Sequence, residues 1–116
     1  MFRFEQLEIW QLAITYGSKL YGFANTLPKE ELFGLSSQLK RAAVSISNNI
    51  AEGSGGTTNR DFSHFIDIAI KSSLETVSLL QFCKEREFIE DKLLISLYKD
   101  SEMLIRKMNA FKKTLN

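Results

Sequence analysis

The sequence predicts an all-α fold: an antiparallel up-and-down four-helix bundle that assembles into a ring-like oligomer. Three observations point to the bundle. Pro28 is the only proline in 116 residues, so the chain has few breakers. Apolar residues recur at alternating spacings of three and four in four separate runs, the period of a buried helix face. The connections between the runs are short, which makes consecutive helices antiparallel neighbours.

The first helix is expected over about residues 5–25, with Leu7, Trp10, Ile14, Gly17, Tyr21 and Ala24 turned inward, and Asn25-Thr26-Leu27-Pro28 ends it. The second, over about 35–53, places Leu35, Leu39, Ala42, Ile46, Asn49 and Gly53 on one stripe, with Ala43 and Ile50 beside it. Gly53 is suited to a left-handed C-terminal cap. The third, over about 59–86, opens with Thr58 three residues before Asp61, a capping-box start. It turns Phe62, Phe65, Ala69, Ser72, Thr76, Leu79 and Cys83 inward. The fourth, over about 90–115, starts on the acids Glu90 and Asp91 and ends on Arg106, Lys107, Lys112 and Lys113, both favourable to the helix dipole. Its stripe is Leu94, Leu97, Ser101, Leu104, Met108, Phe111 and Leu115.

A chain of this length forms one domain, residues 1–116. Hydrophobic residues at 44% and charged residues at 25% are the balance of a folded globular protein and exclude wholesale disorder. Fifteen Lys and Arg against 14 Asp and Glu leave a net charge of +1, so a nucleic-acid role must rest on local clustering of cations. Cys83 is the only cysteine and cannot form an intrachain disulfide, which fits a reducing, cytoplasmic setting. Glu5, Gln6 and Glu8 interrupt the apolar start before a signal peptide could form. No stretch reaches the roughly 20 apolar residues of a membrane span, so no membrane partner is expected.

Some apolar residues fall outside the four inward stripes: Ile9, Leu12, Tyr16 and Phe23 on the first helix, and Ile68, Ile70, Val77 and Phe82 on the third. Left in water they would form patches that mark interaction surfaces, so self-association is expected through these eight residues. The first and third helices are diagonal in an up-and-down bundle. Two unlike patches pointing different ways make a heterologous contact, which closes into a ring when the rotation permits.

Candidate chemistry is sparse. His64, the only histidine, follows Asp61 by one helical turn, but the chain lacks the second Glu-x-x-His and the further glutamates of a bundle di-metal site. Cys83 lies 19 positions from His64 on the same helix, roughly 28 Å of rise, too far for a nucleophile and its base. Gly53-Ser54-Gly55-Gly56 follows a helix and contains no lysine, so neither a Walker loop nor a dinucleotide loop is present. No catalytic residue, cofactor site or metal site is assigned, and the chain is not expected to be an enzyme. The start of the third helix, Thr57 to Arg60, offers free backbone donors to an anion, opposed by Asp61.

Asn49 sits on the inward stripe of the second helix with Ser45 beside it, and small hydroxylated residues of the third helix are positioned opposite. A buried amide needs matched partners, so Ser45 and Asn49 are read as a structural polar network that fixes helix register.

QLKRAAVSISNNIAEG, residues 38–53, together with EIWQLAITY, LPKEELFGL and HFIDIAIKSSLETVSLL, closely resembles the four-helix bundle proteins first known from open reading frames in intervening sequences of bacterial 23S ribosomal RNA genes. The resemblance covers nearly the whole chain. The label ribosomal, common in this family, follows gene location. A related protein is the accessory variability protein of diversity-generating retroelements, a five-membered barrel that works with a reverse transcriptase and nucleic acid. The resemblance therefore implies a homopentamer with a non-catalytic, nucleic-acid-linked role. The chain departs from the family pattern at Ser47, where proline is common, at Ser54-Gly55-Gly56, where an aromatic and Gly-Arg are common, and at Lys71, where glycine is common. The basic residue after the loop is displaced to Arg60.

Two functions follow as expectations. The first is a ring that binds structured RNA or a nucleic-acid-processing partner, with Arg41, Arg60, Arg106, Lys107, Lys112 and Lys113 as the contacts. The second is a structural adaptor, for example to a reverse transcriptase, with no direct nucleic-acid contact.

Overall fold

A computed structural model describes residues 1–116 in full. It is all-α, with four helices and no strand: α1 (Glu8–Ala24), α2 (Leu35–Ser54), α3 (Asn59–Glu85) and α4 (Asp91–Lys113). Short 3-10 turns precede α1 (Arg3–Gln6) and α2 (Lys29–Glu31). The helices stand at the corners of a square. α1 and α3 each pack against α2 and α4, and across the α1–α3 diagonal the backbones stay apart while the Tyr16 side chain reaches Thr76. No helix is long and apolar enough to cross a membrane.

α1 begins at Glu8, later than its apolar pattern suggests, because Leu7 is extended (φ −81°, ψ 126°) and separates it from the 3-10 turn. That turn is held by the Phe2 backbone N–H donating to Glu5 (2.9 Å) and by the Arg3 guanidinium over the Phe62 ring (5.2 Å). α3 starts where Thr58 predicts, its hydroxyl accepting from the Asp61 N–H at 3.0 Å. Its other end is closed by a motif the sequence hides. Glu87 takes φ 60°, and the Glu87 and Phe88 N–H groups donate back to the carbonyls of Lys84 (2.9 Å) and Cys83 (2.8 Å). This is a Schellman cap with glutamate where glycine is usual. Replacing Glu87 by glycine relieves a left-handed side chain, and we expect Glu87→Gly to raise stability by about 0.5–1 kcal/mol in urea denaturation.

Gly53 does not end α2. The helix continues to Ser54, and no glycine in the chain has positive φ. Gly53 is instead a point of close approach to α3: a Cβ there would stand 2.7 Å from Phe62 Cδ1 and 2.8 Å from Phe65 Cβ. Gly17 plays a milder form of the same part at the α1–α2 crossing, where a Cβ would meet the Ala43 carbonyl oxygen at 3.3 Å.

The core corrects the expected orientation of α1. Ile9, Ala13, Tyr16, Leu20, Phe23 and Ala24 are buried, Leu12 is half-buried against them, and Ile14 and Tyr21 are exposed. Ile9, Tyr16 and Phe23, expected on an oligomer interface, are therefore parts of the chain's own core. Both stripes of α1 have helical spacing. The buried stripe carries Ala13 and Leu20, both fully buried, and at its middle the Tyr16 hydroxyl meets Thr76 Oγ1 at 2.8 Å. On α3, Ile70 is also half-buried against the core, and Ile68 and Val77 are half-buried, so these three offer little free surface. Phe82 alone of that group is exposed.

Burial raises two acids. Desolvation, helped by the charge of Glu31, pushes the Cys83 thiol from 9.0 up to about 11. Desolvation also raises the Tyr16 phenol, against hydrogen bonding from Thr76 and Ser101. Both groups hold their protons more tightly folded than unfolded, so their contribution is complete below about pH 9 and declines as pH rises toward 11. The midpoint of thermal unfolding should fall across that interval, with a limiting slope of about 1.4 kcal/mol per pH unit per group. In Cys83→Ala the fall should be shallower.

Candidate interaction surface

The six cations expected to meet nucleic acid divide into two groups. Arg41 pairs with Glu75 (3.0 Å), Lys107 with Glu8 (3.0 Å) and Lys112 with Asp67. Arg60, Arg106 and Lys113 are in no ion pair. Arg106 and Lys113 line one shallow groove on the outer side of α4 with Glu102, Ile105, Asn109 and Ala110, whereas Arg60 is exposed in the first turn of α3. The ion pairs are solvent-exposed and of the kind that contributes at most about 1 kcal/mol, yet each places a carboxylate where a phosphate would have to come.

The loop before α3 is poorly arranged for an anion. Thr58 already takes the Asp61 N–H, and Asp61 Oδ2 lies 2.6 Å from where a Gly56 Cβ would stand, which puts a negative charge against the loop. Ser45 and Asn49 form a local network. The Ser45 and Ser72 hydroxyls are 2.9 Å apart across α2 and α3, and Asn49 Nδ2 donates to the Ser45 carbonyl (2.8 Å) and Oγ (3.1 Å). His64 is exposed, Cys83 is buried, and no three metal-ligating side chains are gathered together.

A groove of about 480 Å³ runs between α1 and α2, lined by Ile14, Gly17, Tyr21, Val44 and Ser47 among others and containing no charged residue. Ile14, Tyr21 and Val44 are each 44–46% exposed. Lys40 borders the groove with its ammonium 4.6 Å from the centre of the Tyr21 ring, a cation–π contact.

A second apolar face lies across the bundle. Tyr98 and Lys112 are two heptads apart on α4, and Asp67 and Leu74 one heptad apart on α3, so the Lys112–Asp67 pair puts Tyr98 and Leu74 along the α3–α4 seam. Leu74, Tyr98 and Ile95, one turn before Tyr98, are exposed. The opposite side of α4 meets α1 through Asp100–Lys19 and Lys107–Glu8. The α1–α2 groove and the α3–α4 seam are consequently on opposite sides of the square. Sequence spacing assigned Ile14 and Tyr21 to the interior and gave Leu74, Ile95 and Tyr98 no role. The available signal was their position outside whichever stripe is buried.

The chain matches the family model described as 23S rRNA-intervening sequence protein over residues 5–110. Among solved structures it is similar to a protein of unknown function from the S23 ribosomal protein family of Bacteroides thetaiotaomicron, with 24% sequence identity and a TM-score of 0.84. That alignment covers 90% of this chain and 95% of the other. None of the curated proteins compared matches the chain.

Proposed function

Since the chain belongs to the 23S rRNA-intervening sequence protein family, we propose that it is a non-catalytic scaffold that assembles with copies of itself into a ring and presents that ring to a partner. The observation that carries this reading is the pair of open apolar faces on opposite sides of the bundle, Ile14, Tyr21 and Val44 on one and Leu74, Ile95 and Tyr98 on the other. A contact between unlike faces is heterologous, so each copy keeps one face free for the next until the assembly closes. A ring of five is the size implied by the resemblance to the retroelement accessory protein. Its partner is a protein that handles nucleic acid, and the cytoplasm is its setting.

Cysteine pairing tests the geometry. A chain carrying both Ile14→Cys and Tyr98→Cys on a Cys83→Ala background should give a ladder of linked oligomers on mild oxidation, and neither change alone should go beyond a trace of dimer. Efficient dimer from Ile14→Cys alone would instead show a symmetric contact and reject the head-to-tail ring.

Direct contact with structured RNA is a second reading, favoured by the groove that holds Arg106, Asn109 and Lys113 free of ion pairs. A ring repeats this small cluster around its axis, which raises avidity without new contacts. In gel shifts with 23S ribosomal RNA fragments, Arg106→Ala with Lys113→Ala should weaken binding at least tenfold at low salt and flatten its salt dependence. Equal binding by the double variant, or none by the native chain, counts against it.

A further inference from the structure

We propose that Lys40 and Glu102 are the charge pair that joins copies of this chain head to tail: Lys40 at the edge of the α1–α2 groove meets Glu102 on the α3–α4 seam of the next copy. The proposal rests on the scaffold reading above, and it names the contact that gives the ring a direction and a register.

The groove between α1 and α2 contains no charged residue, and the other cations near it are engaged. Lys19 pairs with Asp100 at 2.9 Å and Arg41 with Glu75 at 3.0 Å. Lys40 is in no ion pair. Its ammonium is placed at the groove's edge by the Tyr21 ring, 4.6 Å from the ring centre, and it keeps its full charge to offer a carboxylate. The next charge along the outer face of α2, Glu52, is twelve residues on, roughly 18 Å of rise. The groove side therefore carries one free charge, and it is positive.

The α3–α4 seam has the opposite character. Of the acids on the sides of α3 and α4, Asp67, Glu75 and Asp100 are held by Lys112, Arg41 and Lys19. Glu102 is exposed and in no ion pair. It lies one turn after Tyr98 and two turns after Ile95, so the three share one face of α4. The cations nearest this face turn away from it. Lys71 follows the core-packed Ile70 and Lys99 follows Tyr98, each about 100° further round its helix.

The two free charges also stand near one height. Lys40 meets Tyr21, Lys19 precedes Tyr21 by two residues and meets Asp100, and Glu102 follows Asp100 by two. Because α1 and α4 are antiparallel, Tyr21 and Glu102 differ by about four residues of rise, roughly 6 Å, which long side chains span. A ring whose axis runs along the bundle turns each copy without sliding it. Groove and seam then meet at equal height, with Lys40 facing Glu102.

Charge decides which faces join. Groove against groove sets Lys40 beside Lys40, seam against seam sets Glu102 beside Glu102, and only groove against seam brings opposite charges together. The apolar residues do not make this distinction, since Ile14, Tyr21 and Val44 on one side and Leu74, Ile95 and Tyr98 on the other are alike in kind. A symmetric dimer stops after one contact, and the pair disfavours it.

Sedimentation velocity at low salt, on chains whose folding is checked by circular dichroism, reads the pair through charge reversal. Lys40→Glu makes both faces acidic and Glu102→Lys makes both basic, so either change should raise the concentration of half-assembly at least tenfold. Both changes in one chain restore opposite faces and should restore the native mass. An equimolar mixture of the two single variants should also assemble, because the groove of each then suits the seam of the other. A contact that matters only within one chain is not recovered by mixing. Single variants that keep the native assembly overturn the pair and leave the scaffold reading intact, and lost assembly that neither the double variant nor the mixture recovers overturns the pair as well. A native chain that is monomeric at micromolar concentration removes both.

Discussion

Truncating Leu20 to alanine is expected to lower the unfolding free energy by about 3 kcal/mol, while the same truncation at Ile14 lowers it by less than about 1 kcal/mol. Leu20 is completely buried among the core residues of α1, and its removal leaves a cavity that a close-packed bundle refills only in part. Ile14 is 44% exposed and borders an open groove, so its truncation leaves no enclosed void. Urea denaturation followed by circular dichroism, on chains held monomeric by Val44→Lys, measures both. The pair is diagnostic because the two residues exchange roles if α1 is turned to its other stripe: Ile14→Ala would then be the costly change.

Gly53→Ala is expected to be the most damaging single methyl in the protein, at about 2–3 kcal/mol. The added Cβ would overlap Phe62 Cδ1 at 2.7 Å and Phe65 Cβ at 2.8 Å. The Phe62 ring could turn aside, but Phe65 Cβ is fixed to the α3 backbone, so the two helices must separate. Alanine's better helix propensity returns only about 1 kcal/mol. By contrast Gly22→Ala, with open space around the new atom, should gain stability by up to that amount. Thermal unfolding of the two variants beside the parent chain checks both signs.

The architecture was legible from the periodicity of the second, third and fourth helices because each has one dominant apolar stripe flanked by charge. Leu39, Ile46 and Ile50 on α2, Ala69 and Thr76 on α3, and Leu97, Leu104 and Met108 on α4 are buried as their spacing requires. α1 misled for a physical reason: with only Glu8 and Lys19 charged, glycines, small polar residues and two interleaved apolar stripes leave the outside weakly marked. The buried stripe is the one that carries Ala13, Tyr16 and Leu20, and the contact of Tyr16 with Thr76 on α3 is long-range information. Gly53 was open to the same confusion. Glycine at a helix end and glycine at a helix crossing look alike until the neighbouring phenylalanines are in place.

The candidate surface was less legible than the fold. The expectation of two unlike apolar patches is retained in kind, but the residues change, from Ile9, Tyr16 and Phe23 to Ile14, Tyr21 and Val44 on one side and to Leu74, Ile95 and Tyr98 on the other. Cation positions could be read along each helix, but their pairing could not, since Glu8 and Lys107 or Asp67 and Lys112 meet only once the helices are packed. That pairing is why self-assembly, and not polyanion binding, leads the functional reading.

Solution mass tests the central claim most directly. Light scattering on the native chain at micromolar concentration should give a multiple of 13.3 kDa, five copies on the proposed ring, and Val44→Lys should give a folded species of one copy. A native chain that runs at 13.3 kDa, or a Val44→Lys variant that keeps the full assembly, would contradict the account.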